Sequence, residues 1–201
     1  MDNRFIVFEG IDRCGKRTQL ELTQRWLLSR GCLVQTGSEP NDKISLMGIY
    51  IRRILKKELP SPGFFGLQRL FTIDRAQDVV CLIQPALDSG HFVLWERFAH
   101  STLAYGMLEG DAERYLKLQY NVMGSFMVWP QLTLLLDISA EEVVGRMGGL
   151  NVYHWGFLVK TGSEPNNETG LSAVRHRVSD KPASEHPKQY FGCFFVLVLV
   201  L

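Results

Sequence analysis

Two glycines and a lysine, Gly10, Gly15 and Lys16, fall in the spacing GxxxxGK, with Ile11, Asp12, Arg13 and Cys14 between them. These residue types suit the capture of a phosphate chain. Glycine lets the backbone curve so that successive N–H groups face an anion. A helix opening at this point adds about half a unit of positive charge at its N-terminus. The lysine ammonium then reaches the terminal phosphates as a mobile point charge. The plain alternative is a glycine-containing turn with an incidental lysine. The setting favours the first reading, because the turn follows the apolar run Arg4–Phe8 and opens a helical pattern over Lys16–Leu28, the strand–loop–helix context of a P-loop. One position departs from that motif. The residue after the lysine is ordinarily Ser or Thr, whose hydroxyl binds Mg2+; here it is Arg17, a cation without an acceptor, and Thr18 comes one residue late.

The elements around this turn alternate. Apolar runs at Cys32–Gln35, Phe92–Trp95 and Leu132–Leu136 read as strands. Leu20, Leu22, Trp26 and Leu27 mark the apolar side of the first helix, and Ile44, Met47, Ile51 and Leu55 that of a second. A long helix is expected from about Phe65 to Leu87, interrupted or ended near Pro85, and further helices between Ser101 and Phe126. Wholly apolar strands separated by helices imply a parallel sheet covered on both faces. The expected fold is α/β, a three-layer α/β/α sandwich with a central parallel sheet of about five strands. Residues 1–147 form its core. Residues 148–190 lack a sustained apolar period, and residues 191–201 form an apolar segment. The alternation of Val196–Leu201 suits a strand buried on both faces; a disordered tail and a membrane anchor are the alternatives, and the run is shorter than the roughly 20 residues a spanning helix needs. The hexapeptide Thr36–Asn41 recurs as Thr161–Asn166, too isolated to mark a solenoid.

Composition narrows the function classes. With 22 basic and 21 acidic residues the net charge is +1, which gives no support for nucleic-acid or membrane-surface binding. Four widely spaced cysteines argue against a zinc site or disulfide framework and fit a reducing cytoplasm. The first residues show no signal-peptide pattern.

Three further segments lie where a phosphotransferase needs an acceptor site: Leu70–Gln77 on the long helix, Glu96-Arg97-Phe98 with Ser101–Tyr105 after the third strand, and Leu132–Ser139. Together with Gly10–Gln19 these segments resemble the thymidylate kinase family over residues 4–147. The resemblance implies the P-loop NTPase fold, ATP and Mg2+ as cofactors, dTMP as acceptor, and a homodimer. It implies catalytic roles for Lys16, Arg13, Glu96 and Arg97, and ATP contacts along Gly10–Thr18. Asp12 would bond near the acceptor's ribose or phosphate. Arg13 would act as an arginine finger. Phe71 would stack on the base, Arg75 donate to its carbonyl edge, and Arg97 grip the acceptor phosphate. Tyr105 would pack beside the sugar, with Glu39 and Ser101 completing the pocket; Glu96 would act on the metal indirectly. Each has an ordinary alternative: core packing for Phe71 and Tyr105, a solvated pair with Asp74 for Arg75, and a structural pair with Glu96 for Arg97.

The chain departs from the family pattern at Arg17, at Glu96 where Asp is usual, at Ser38 where Arg is usual, and after Arg146, where no basic lid is recognisable. Missing cations and metal ligands cost rate, since phosphoryl transfer is largely charge stabilisation. Two alternatives to an active dTMP kinase follow: a nucleotide-binding homologue of weakened turnover, and a deoxynucleoside kinase, which Glu39-Pro40 and Glu96–Phe98 suggest.

Overall fold

The computed structural model describes residues 4–146 and 195–200. Five strands, β1 (Phe5–Glu9), β2 (Val34–Ser38), β3 (Phe92–Glu96), β4 (Leu132–Asp137) and β5 (Phe195–Val200), form one sheet in the order β2-β3-β1-β4-β5. Every pairing is parallel, with Phe8 opposite Glu96 and Leu134, Ser38 opposite Glu96, and Leu134 opposite Leu197. The expected parallel sheet and the terminal strand are therefore present. The second copy of the hexapeptide and the lid region lie outside the described residues.

Side chains alternate through β1 because successive Cβ atoms leave opposite faces of a pleated strand. Phe5 and Val7 join Val93, Trp95, Val79, Ile83, Phe98 and Met123 on one face; Phe8 joins Leu94, Leu20, Leu27 and Leu136 on the other. Burying each such side chain contributes about 1.5–3 kcal/mol. Phe5 and Phe98 meet edge to face at 5.1 Å, which fixes the start of the helix after β3. Gly37 has a packing reason: a Cβ there would overlap the indole ring of fully buried Trp95.

The helices are α1 (Lys16–Leu28), α2 (Leu46–Leu55), α3 (Phe64–Asp78), α4 (Gln84–Asp88), α5 (Ala99–Leu108), α6 (Ala112–Met123) and α7 (Ala140–Arg146). The long helix expected around Pro85 is α3 and α4 joined by a π-helical turn over Val79–Ile83. Proline has no N–H for the preceding turn, and the π turn widens the helix just before it. Two apolar faces differ from expectation. In α1, Leu20 and Leu27 are buried while Leu22 and Trp26 are about half exposed, Trp26 carrying the Arg30 guanidinium at 3.7 Å. In α2, Ser45 caps the N-terminus by accepting from Gly48 N, so Ile44 lies outside the helix and is exposed, and Ile51 and Ile54 make the core contact.

Candidate active site

The candidate residues sit at the carboxyl ends of β1, β3 and β2, where open parallel sheets bind ligands. Gly10 leaves β1 with φ 140°, and a Cβ would stand 2.5 Å from the Leu136 carbonyl oxygen and 2.7 Å from Cys14 Sγ, so both conformation and space demand glycine. Gly15, at φ 99°, caps α1. A turn so built, with a helix N-terminus behind it, fits a polyphosphate. Lys16 is buried and turned into the loop: Nζ donates to Ile11 O at 2.7 Å and Gly10 O at 3.1 Å, and lies 3.9 Å from Glu96 Oε1. Burial, and next the positive charge of Arg97, hold its ammonium below the usual lysine range. Two cations crowded at one mouth favour an anion between them.

Arg97 follows β3 in the left-handed region at φ 68°. Its backbone N donates to Phe8 O at 2.9 Å, and its guanidinium pairs with Asp12 of the loop. Nη1 also approaches Ser101 Oγ at 3.4 Å. Tyr105 lies one turn further along α5; burial raises its hydroxyl pKa, with the Arg97 charge opposing and Asp12 adding to the rise. Asp12, Lys16, Glu96, Arg97, Ser101 and Tyr105 therefore come together.

A second group adjoins it. Glu39 continues β2, its N donating to Glu96 O at 3.0 Å. Its carboxylate takes the Arg75 fork, Nε to Oε1 at 2.7 Å and Nη2 to Oε2 at 2.5 Å. Arg75 is fully buried, so a solvated pair with Asp74 is ruled out. It also donates to Gln119 Oε1 at 2.5 Å and Thr102 Oγ1 at 3.3 Å, and its guanidinium lies 5.2 Å from the Phe98 ring centre. Among the described residues four of its five N–H groups are engaged, leaving one on Nη1. Burial is the largest influence on Glu39 and raises its carboxyl pKa, while Arg75 pulls the other way. Asn41 secures the turn, its N donating to Asp74 Oδ2 at 2.9 Å and its Nδ2 to Asp78 Oδ1 at 2.6 Å. Phe71 is half-buried one turn before Arg75, on the same side of α3.

Three candidates point elsewhere. Arg17 is exposed and paired with Glu21 at 3.1 Å, and Thr18 is exposed. The position of the metal-binding hydroxyl thus does not fit Mg2+, and among the described residues no group of three or more His, Cys, Asp or Glu is arranged to hold a metal. Arg13, at φ 64°, lies against α7, with Nη1 donating to Arg146 O at 3.1 Å and Arg146 Nη1 returning a bond to Arg13 O at 3.2 Å.

Sequence reasoning missed Glu9, Thr102 and Gln119. Glu9 was open to detection: strand alternation puts it on the buried face with Phe5 and Val7, and a buried carboxylate needs donors. It has two, Phe98 N at 2.9 Å and the Ser101 hydroxyl at 2.8 Å. Gln119 carries no local signal; its partners Arg75 and Thr72 are more than 40 residues away.

A central β1 leading through a glycine cradle into α1, beneath a parallel sheet, defines the P-loop class of nucleotide-binding proteins. Comparison narrows the class. The sequence model described as thymidylate kinase matches residues 8–154. A thymidylate kinase of Nostoc sp. is 32% identical over 154 residues, covering 76% of this chain and 72% of its own length. One from Prochlorococcus marinus is 36% identical over 153 residues, covering 73% and 70%. A probable thymidylate kinase of Pyrococcus horikoshii is 38% identical over 151 residues, covering 73% and 71%. The crystal structure of thymidylate kinase from Ehrlichia chaffeensis superposes with a TM-score of 0.66 at 22% identity, covering 100% of this chain and 89% of that one, which supports the fold. The chain belongs to the thymidylate kinase family.

Proposed function

We propose that the protein transfers the γ-phosphoryl group of ATP to the phosphate of dTMP, giving ADP and dTDP. The observation that carries this reading is the pair between Arg97 and Asp12: the cation suited to an acceptor phosphate is tied to the loop suited to the donor's. The relatives named thymidylate kinase support the same substrate and favour neither a deoxynucleoside kinase nor an inactive homologue. An oxygen of the dTMP phosphate attacks Pγ, the new P–O bond forms, and the bond from Pγ to the β–γ bridging oxygen breaks, leaving ADP. A phosphate monoester loses its second proton near pH 6, about as phosphoserine does, so the nucleophile needs no general base. What the chain supplies is position and charge.

The cradle from Gly10 to Lys16 would hold the ATP phosphates, with Lys16 on the terminal ones. Arg97 would grip the dTMP phosphate, with Asp12 and Ser101 beside it. Phe71 would stack on the thymine, the remaining Nη1 hydrogen of Arg75 would meet a base carbonyl, and Tyr105 would flank the sugar. Glu39 acts through Arg75. Arg13 would swing from α7 to the transferring group. Mg2+ would arrive with ATP and be held through water, Glu96 being the carboxylate nearest Lys16. We further assign residues 1–147 to the kinase core and 148–190 to the lid position, and propose a cytoplasmic homodimer that binds neither nucleic acid nor membrane.

The test is a coupled assay of ADP release with ATP and Mg2+, offering dTMP, thymidine, dUMP, dCMP and dGMP in turn. Release with dTMP above all others is the expected result. Release with thymidine but not dTMP, or calorimetric nucleotide binding without any release, refutes it.

A further inference from the structure

The Glu9 carboxylate has a place in this site that goes beyond filling the core. Arg97 N bonds to Phe8 O, so Glu9 reaches past the last residue of β3 into the turn that carries Arg97. It is buried, and a buried carboxylate is strongly disfavoured unless donors surround it. The donors are Phe98 N, at the start of α5, to Oε1 at 2.9 Å, and the Ser101 hydroxyl to Oε2 at 2.8 Å. No side chain within α5's own segment caps that helix.

A serine hydroxyl has one hydrogen and two lone pairs. With the hydrogen committed to Glu9, the face of Ser101 Oγ towards Arg97 Nη1, 3.4 Å away, is an acceptor. Arg97 is then held at one end by Asp12 from the cradle and at the other by Ser101.

We propose that Glu9 is a positioning residue for phosphoryl transfer: by fixing the Ser101 hydroxyl and the Phe98 N–H, it turns an oxygen lone pair to Arg97 and aims that guanidinium across the cradle. This rests on the proposed function, in which Arg97 holds the acceptor phosphate. Glu9 touches neither nucleotide. It links the strand that ends in the donor cradle to the turn that carries the acceptor's cation.

Glu9→Gln separates this role from simple packing. The amide oxygen keeps the Phe98 N–H bond, but the amide N–H now points at Ser101. The hydroxyl must accept, its hydrogen swings towards Arg97, and donor faces donor. Hydrogen bonds to charged groups contribute roughly 1.5–3 kcal/mol, which sets the expected change at about 10- to 100-fold. The KM for dTMP rises and kcat falls within that range, calorimetry gives a matching loss of dTMP affinity, the KM for ATP stays within about twofold, and the melting temperature is nearly unchanged. Ser101→Ala gives a similar loss, and Glu9→Gln combined with Ser101→Ala is no worse than Ser101→Ala alone.

Wild-type constants in Glu9→Gln overturn the proposal, as do single effects that multiply in the double variant. If Glu9→Gln does not fold, Ser101→Ala decides: a wild-type KM for dTMP overturns the relay, and a tenfold rise with unchanged KM for ATP supports it. A wild-type protein that neither binds nor phosphorylates dTMP removes the proposed function and this proposal with it. An active wild type with indifferent variants removes this proposal alone.

Discussion

Asp78 offers a test in which the sign of a pH effect is fixed by the structure. The residue is buried, its Oδ1 accepts from Asn41 Nδ2 at 2.6 Å, and its Oδ2 has no hydrogen-bond partner among the described residues. Burial, reinforced by the neighbouring Asp74 carboxylate and only partly offset by Asn41 and Arg75, raises its pKa from 3.8 to about 7. The folded protein therefore keeps a proton here that the unfolded chain has lost. Stability linked to this group is fully present below about pH 4 and is lost as pH rises through 7. The whole shift corresponds to about 4 kcal/mol, of which about 3 kcal/mol falls between pH 5 and 8. Asparagine at 78 keeps the oxygen that Asn41 uses and cannot ionise. Any cost of its unpaired amide N–H is the same at both pH values and cancels in the comparison. The measurement is urea unfolding of Asp78→Asn and wild type at pH 5 and pH 8, with m unchanged between them. The stability of the variant relative to wild type should improve by about 3 kcal/mol from the lower pH to the higher. An equal difference at the two pH values, or a variant that loses ground at pH 8, refutes the reasoning.

Three substitutions test other parts of the site. Lys16→Ala should lower kcat by about 10²–10³ in the ADP-release assay, the usual effect of removing a preorganised cationic donor; an unchanged rate would count against the whole cradle. Arg17→Ser removes only the exposed pair with Glu21, worth about 0.3–0.5 kcal/mol, and installs the missing hydroxyl. Mg2+-dependent turnover should rise, and an unaltered rate would show that this hydroxyl is not limiting. Arg75→Met strands the buried Glu39 carboxylate and should destabilise the protein by about 3–5 kcal/mol in denaturant titration, with Glu39→Gln restoring part of the loss. A shift below 1 kcal/mol would mean that Glu39 finds another partner.

The sequence was most readable where local chemistry and position coincide. The cradle needs glycine at positions 10 and 15 for its backbone, and that need is visible without any tertiary knowledge. Strands β1, β3 and β4 are apolar on both faces, so burial and element type announced themselves together. The α1 and α2 faces were harder to read, because an apolar residue at helical spacing does not say whether a partner arrives. Trp26 is partly covered by Arg30, and Ile44 falls outside its helix because Ser45 caps it. The acceptor side was legible through its motifs, in which the charges of Arg97 and Arg75 stand out and Asp12, Glu39, Phe71, Ser101 and Tyr105 accompany them. Thr102 and Gln119, which hold Arg75, are ordinary in their local sequence, and the part Glu9 plays through Ser101 needs more than strand alternation to see; these roles arise from pairings 27 to 92 residues apart, set by sheet order and helix packing.

The central place of β1 has a consequence for how the site moves. Both of its edges are paired, to β3 and to β4, and it runs directly into the cradle. Edge strands and loops open at small free-energy cost, whereas a strand held on both sides opens only when most of the domain does. The amides of Ile6, Val7 and Phe8 should therefore be among the slowest to exchange with deuterium, at rates set by global unfolding. The phosphate turn hangs from that slow-exchanging unit, so its frame stays rigid while nucleotides come and go.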